Sequence, residues 1–202
     1  SWALSAGLVS IAVGKTDVKN EAKNRVLNAI RRSQVTAAGT GGIRAHSSAN
    51  PTINSESVVG AIAFGLGGSG AAATSEIHIE SNTSAFIDSS SLNASSGVVE
   101  FKATSTSSTE PTIQGLSAGL VSVSDMTSNA TIGGSTSVWL EGTTTIAAQS
   151  IDLTADDTAT AAPVTTTDSG GAIDIVSTNT LLAITRETAT TVKAGSDITV
   201  GT

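Results

Sequence analysis

The sequence predicts an all-β protein in which short parallel strands stack into a β-solenoid. Three observations lead to this prediction: an unusual composition, an internal repeat, and an alternation of apolar and polar side chains. Together they indicate one repetitive domain spanning residues 1–202.

The composition is unlike that of an ordinary globular domain. Aromatic residues make up only 2% and charged residues 13% of the 202 residues, whereas apolar residues reach 39%. The mean hydropathy of +0.17 is too high for a disordered chain. Because the apolar residues are mostly Ala, Val, Ile and Leu set among Ser, Thr and Gly, stacked strands with small side chains fit better than a single thick core.

Charge and cysteine content exclude several classes of function. Ten basic and 17 acidic side chains give a net charge of −7, which disfavours nucleic acid as a partner. The chain has no cysteine, so thiolate chemistry and Cys-based zinc sites are excluded. The longest weakly polar run, 58–73, is Gly-rich and shorter than the roughly 20 residues of a membrane helix, so no membrane span is expected.

A repeat of about 55 residues runs through the chain. The heptapeptide LSAGLVS occurs at 4–10 and again at 116–122, and pairs of small residues recur near 6, 60, 118 and 171. A second marker, an apolar residue two places before Ala, begins at Val35, Leu92, Ile146 and Val192. The three prolines, Pro51, Pro111 and Pro163, each precede a small-residue pair and indicate a common register.

Within each unit the side chains alternate with a period of two, as in VEFKA at 99–103 and IDLTA at 151–155. The units extend over about 1–44, 45–103, 104–155 and 156–202. Two coils per unit would give seven or eight coils, a stack some 35 Å long at about 4.8 Å per coil. The first residues already follow the repeat, so a processed chain or an excerpt is expected.

One segment departs from this pattern. Residues 15–32 carry Val18, Ala22, Val26 and Ile30 at a spacing of four, among good helix formers. Read alone, the segment predicts a short amphipathic helix on the flank of the first unit. The alternative is that the repeat overrides this local preference.

The order of small-residue run, A-x-I-D strand and h-x-A-x-x-G turn resembles that of the large repetitive surface proteins of bacteria, the filamentous haemagglutinins and adhesins. The matching residues lie at 60–73, 85–103 and 192–200. This resemblance implies a right-handed parallel β-helix that is secreted or held at the cell surface, where it serves in adhesion or matrix formation. It implies no catalytic residue. The expected function is therefore structural and non-enzymatic, and the basic 15–32 segment is where the chain differs.

The alternative is a β-helix that binds or cleaves polysaccharide. Glycoside hydrolysis needs two carboxyl groups roughly 5 to 9.5 Å apart, and the densest acids are Asp156, Asp157, Asp168 and Asp174. The first three are also weak calcium candidates, because calcium prefers several oxygen ligands. No cofactor is otherwise expected.

The sequence also predicts self-association or covalent neighbours in a longer array. Residues 1–44 hold seven basic and two acidic side chains, whereas the remaining residues hold three basic and 15 acidic ones. A basic first unit facing an acidic last unit would steer head-to-tail stacking. Glycans or a cell surface are further possible partners. The candidate interface residues are Trp2, Lys15, Lys19, Arg31, Arg32, Trp139, Asp197, Ile198 and Val200.

Overall fold

A computed structural model describes residues 1–201 as an all-β protein in which every pair of neighbouring strands is parallel. These residues contain no helix, and therefore none that could cross a membrane. The twelve strands are β1 (Trp2–Ala6), β2 (Ile11–Arg31), β3 (Gln34–Thr36), β4 (Ile43–Ala49), β5 (Thr52–Phe64), β6 (Gly68–Asp88), β7 (Ser91–Ala118), β8 (Val121–Glu141), β9 (Thr145–Ala161), β10 (Val164–Gly170), β11 (Ile173–Val192) and β12 (Asp197–Val200).

The strands form two sheets that pack face to face. One, the continuous sheet, has the order β2, β6, β8 and β11, each strand about 20 residues long. The other, the interrupted sheet, contains the remaining eight strands, with β7 at its centre. Hydroxyl pairs cross the interior between the sheets, such as Ser55 Oγ to Ser75 Oγ at 2.6 Å and Ser117 Oγ to Ser124 Oγ at 2.8 Å. The predicted parallel β-solenoid is confirmed.

Each repeat unit forms one coil rather than two. Ile11, Gly68, Val121 and Ile173 stand in one column of the continuous sheet, separated by 57, 53 and 52 residues. The expectation of two coils per unit is therefore wrong. Coils one to four begin at β2, β6, β8 and β11, and β1 lies one level before the first. The result is a slab about 70 Å wide and about 19 Å high instead of a narrow column.

The predicted helix at 15–32 is also wrong, because β2 pairs with β6 along its whole length. A spacing of four residues is an even number, so it places Val18, Ala22, Val26 and Ile30 on one side of a strand as readily as on one side of a helix. All four face the interior, opposite inward residues of β6. The 21-residue main-chain ladder outweighs the helix preference of the isolated segment.

Every second side chain of each sheet points into the interior, which is therefore filled by one layer of side chains from each of the two sheets. Apolar clusters lie near both edges of the slab, one around Phe101, Ile87 and Leu140 and the other around Val59, Ala73 and Met126. A small isoleucine cluster, Ile77, Ile79 and Ile132, lies between them. Beside this central cluster the inward positions are polar and buried, including Ser81, Thr83, Ser105, Ser107 and Thr136.

Hydroxyl groups and left-handed backbone close the corner that follows each strand of the continuous sheet. Ser90 Oγ donates to the carbonyl oxygen of Asp88 at 2.8 Å, and Thr144 Oγ1 donates to that of Glu141 at 2.7 Å. Arg32 and Ser89, at this corner in the first two coils, have positive φ angles of 47° and 48°. Gly142 takes the corner position in the third coil, with φ of 67°.

Stacking refines the alignment of the sequence markers. Val35, Leu92 and Ile146 share one column as predicted, but the fourth member is Ile198 and not Val192. Pro163 follows the register of Pro111, whereas Ser55 occupies that position in the first coil, four residues after Pro51. The two LSAGLVS copies lie two residues out of register, since Leu116 aligns with Gly60 and Trp2. An even offset keeps every side chain on its own face.

Gly134 gives a direct test of the coil packing. It has φ of +113°, and a Cβ there would overlap the carbonyl oxygen of Ser81 in the coil below. We expect Gly134→Ala to lower the free energy of unfolding by about 2 kcal/mol or more, measured by urea denaturation. Gly133→Ala is the matched control, because its Cβ would make only an ordinary contact at 3.7 Å. Equal losses in the two variants would contradict this packing.

Candidate functional site

The first coil presents a row of basic side chains on the outer face of β2. Because outward positions alternate, Lys15, Lys19, Lys23, Arg25 and Arg31 all lie on this face, with Asp17 and Glu21 among them. Most of the basic charge of the chain is therefore concentrated on its first coil.

Ion pairs on the outer faces join register partners in adjacent coils. Lys19 Nζ lies 2.8 Å from Glu76, Arg44 Nε 2.9 Å from Glu100, and Lys193 Nζ 2.7 Å from Glu141. The hydrogen bond to Glu76 raises the pKa of Lys19. The hydrogen bond from Lys193 lowers the pKa of Glu141. Charges on this fold thus interact chiefly along the stacking direction.

The fourth coil leaves the inner face of β11 uncovered. Only β12, which carries Asp197, Ile198 and Val200, continues the interrupted sheet at this level, and it covers only the stretch of β9 from Thr145 to Ala148. Val176, Leu182 and Ile184 point inward but are 46–47% exposed. Residues 145–201, which include the second half of the third coil, hold seven acidic and two basic side chains, whereas the fourth coil alone, 173–201, holds three acidic and two basic ones.

Exposed apolar side chains are concentrated at these two ends. Trp2, Leu8, Ile11 and Val13 are 65–86% exposed beside or on the first coil. Within residues 1–201, the large exposed apolar side chains outside the first and last coils and their flanks are Leu120, Val123 and Val164. Concentrations of exposed apolar surface commonly mark interaction sites.

Trp139, a candidate interface residue, points outward but is not isolated. Its ring stacks on Phe86 of the preceding coil, with ring centroids 4.5 Å apart and planes 5° apart. The Arg31 guanidinium lies 4.5 Å from the Phe86 ring, and Lys193 Nζ lies 6.0 Å from the Trp139 ring. Phe86 is buried, but its side chain packs on the outside of the sheet.

Trp2 and Arg32 occupy different parts of the first-coil edge. The Trp2 indole lies over Gly60, where a Cβ would overlap the ring. Beside it is a surface hollow of about 190 Å³ whose polar lining comes from Gln114, Thr166 and Asp168. Arg32 is at the corner after β2, and its amide donates to the carbonyl oxygen of Asp88 at 2.9 Å.

The acidic candidates do not converge on one site. Asp156 and Asp157 are neighbours in β9, so their side chains lie on opposite faces of the sheet. Asp168 lies on the outer face of β10, whereas Asp174 faces inward and accepts a hydrogen bond from Ser122 Oγ. Among residues 1–201 no group of three His, Asp or Glu side chains is arranged to hold a metal ion.

Asp157 belongs instead to a buried ion pair with Arg186. The two side chains are 5% and 7% exposed, and the guanidinium binds the carboxylate through two hydrogen bonds of 2.7 and 2.8 Å. Arg186 extends from β11 through the interior, and its Nη1 donates to the carbonyl oxygens of Ser81 and Gly133 at 3.0 and 2.7 Å. Its Nη2 also donates to the hydroxyl oxygen of Ser105 at 2.9 Å.

Sequence reasoning missed this pair, because Arg186 sits in a Thr-rich strand without an obvious partner. Its register partner in the coil below is Gly134, which has no side chain, and the guanidinium reaches the carbonyl oxygen of Ser81 in the second coil. A lone Arg at an inward position, aligned with a glycine, was the available signal. It required the 52-residue register, which the sequence markers did not supply.

The buried pair predicts an asymmetric mutational response. Arg186→Met would leave Asp157 charged and buried, so we expect a loss of about 3–5 kcal/mol in the free energy of unfolding. Arg186→Met combined with Asp157→Leu removes both charges and should recover most of that loss. Urea denaturation of the parent, both single variants and the double variant gives the coupling energy. Additive single losses would show that the two groups do not interact.

The exposed Lys193–Glu141 pair predicts a pH dependence with a definite sign. The pKa of Glu141 is lowered from its ordinary value of 4.5, so its stabilising contribution is present above that value and is lost as the pH falls through the folded-state pKa. Lys193→Gln should therefore lower the urea midpoint more at neutral pH than well below 4.5, where only the contact of Lys193 with the Trp139 ring is left to lose. The difference should shrink in about 1 M salt, where the screening length is about 3 Å. A difference of equal size in acid would contradict this origin.

Comparisons with known proteins add no assignment to this geometry. No protein-family model, curated protein or solved structure matches the chain. The resemblance to repetitive bacterial surface proteins therefore depends on the sequence pattern alone. The features available for a functional argument are the two coil ends, the outer faces and the buried pair.

Proposed function

We propose that this chain is a structural, non-enzymatic element of an extracellular fibre, adhesin or matrix, in which coil stacks join end to end. The observation that supports the proposal is the chemical contrast between the two ends. The first coil is basic and the C-terminal segment 145–201 is acidic, and both ends expose apolar side chains and unpaired strand edges.

Such ends favour extension over closure. Unpaired strand edges accept further parallel strands, and stacking adds main-chain hydrogen bonds while covering apolar side chains. A contact between two different surfaces of the chain can be repeated from one copy to the next. When successive copies do not come back to the first copy to close a ring, the assembly is an open filament. The next coil can come from a second copy or from covalent continuation of the same chain.

The proposed location is the outside of the cell or its surface. Support comes from the resemblance of 60–73, 85–103 and 192–200 to repetitive bacterial surface proteins, together with the parallel solenoid itself. Fold alone does not define function, so location and adhesive role depend on that resemblance. Cell-surface glycans are the proposed adhesive partners.

A specific observation favours a second candidate function, polysaccharide binding. The exposed Trp2 ring borders the hollow that contains Gln114, Thr166 and Asp168, and aromatic faces with nearby polar groups suit sugar rings. Cleavage would need a second carboxyl group at the correct separation, and Asp168 is the only acid that lines this hollow. The second candidate function is therefore polysaccharide binding rather than polysaccharide cleavage.

End-to-end assembly predicts concentration-dependent filaments. Sedimentation velocity and negative-stain imaging at low salt should show species longer than one slab, forming more slowly at high salt because steering charges are screened. Reversing charge with Lys15→Glu and Lys19→Glu should slow assembly. Lys102→Glu, in the second coil, is the control and should not. A chain that stays monomeric at high concentration and low salt contradicts non-covalent stacking.

The sugar alternative predicts a different response. Gln114 lies in the second coil, away from both ends, so Gln114→Ala should weaken glycan binding in an array or calorimetric assay without affecting filament formation. Asp168→Asn and Asp156→Asn test for cleavage: Asp168 lines the hollow and Asp156 lies outside it. Glycan release that is lost in Asp168→Asn would overturn the non-enzymatic assignment.

A further inference from the structure

The structure assigns a register to the end-to-end contact: β2 of one copy pairs in parallel with β11 of the next, Ile11 opposite Ile173. This inference rests on the proposed function. It follows from the column in which Ile11, Gly68, Val121 and Ile173 are equivalent positions of successive coils. A following copy that continues the solenoid places its β2 where a fifth strand of the continuous sheet would lie.

The corners fix this register. β2 has 21 residues and β11 has 20, and each is bounded by turns at both ends. Only with Ile11 opposite Ile173 do both turns of the incoming coil lie over turns of the coil below. A shift by one residue would reverse the inner and outer faces, and a shift by two would place a corner over a strand.

An ion pair supports the same register. With Ile11 opposite Ile173, Arg25 of the incoming copy lies beside Glu187 on the outer face. Neither side chain has an ion pair within residues 1–201, although cross-coil pairs at register positions occur elsewhere on this surface. Arg31 of the incoming copy would lie next to Lys193, whose charge Glu141 already neutralises at 2.7 Å.

The same alignment sets the neighbours of the exposed inner-face side chains of β11. Asn20 and Ala22 of the incoming copy would lie beside Leu182 and Ile184 along the stacking direction, while the side that faces the interrupted sheet stays open. At the corner, β3 of the incoming copy would stack on β12, with Gln34 opposite Asp197.

The register also predicts where the joint remains open. β12 ends at Val200 over Ala148, and Trp2 of the incoming copy would lie over Asp168. Between these points residues 1–201 of the two copies supply no strand over 150–167 of the interrupted sheet. Within these residues the joint therefore pairs the main-chain edge of β11 and leaves most of the edge of β9 unpaired.

Engineered cysteines test the register directly, because the chain has none of its own. Leu27 and Ala189 share an outer-face column through Ser84 and Ser137, so within one chain they are three coils apart and cannot form a disulfide. In the inferred joint they become neighbours about 4.8 Å apart. Oxidised filaments of Leu27→Cys/Ala189→Cys should give a ladder of covalent multimers on a denaturing gel.

The shifted control is Leu27→Cys/Thr191→Cys, which would cross-link only after a two-residue slip. Filaments that give a ladder with the control, or equally with both variants, overturn the register and leave the proposed assembly intact. Absence of filaments in the unmodified chain overturns non-covalent stacking and, with it, this register between copies. Hydrogen exchange provides a second measurement: assembly should slow exchange in 173–192 and leave 150–161 unchanged, and equal protection of the two segments would contradict the open joint.

Discussion

The structure depends on one constraint, the in-register parallel ladder between successive coils. Every residue of the continuous sheet lies beside its equivalent 52 to 57 residues away, at a strand spacing of about 4.8 Å. Equivalent side chains therefore stack directly, which favours small residues inside and alternating charges outside. The same constraint places the Phe86 and Trp139 rings in contact and sets the cross-coil pairs Lys19–Glu76 and Lys193–Glu141.

The thin interior explains why so many buried positions are Ser or Thr. Two sheets about 10 Å apart leave room for short side chains, and the hydroxyls of Ser47, Ser55 and Ser117 each meet a carbonyl or a second hydroxyl across the gap. Others within residues 1–201, including those of Ser81, Thr83 and Ser107, are buried without a hydrogen-bond partner. A guanidinium does not fit this plan. Arg186 is accommodated because its guanidinium binds the Asp157 carboxylate and donates to main-chain carbonyl oxygens of the two coils below it.

The sequence pattern was sufficient for the parallel solenoid and its repeat, because both depend on local alternation and periodic turns. It was insufficient for the coil count, because the period measures residues per unit and does not show where the chain reverses. The helix prediction at 15–32 failed because Val18 and Ala22 satisfy both periodicities, and only the neighbouring β6 decides between them. The buried Arg186–Asp157 pair requires the register of both sheets, which the markers gave only to within a few residues.

The ends of the stack combine two kinds of interaction with different roles. Charges on β2 and around β11 act over about 10 Å at moderate salt, so they orient approaching coils but contribute little once screened. Main-chain edges and uncovered side chains such as Leu182 and Ile184 act only at contact, and they are insensitive to salt. The opposite signs of the two ends disfavour joining like ends, where charges would repel and parallel pairing would be lost. In a solenoid with these ends, the charges therefore determine which ends join, and the main-chain hydrogen bonds between coils determine how strongly they are held together.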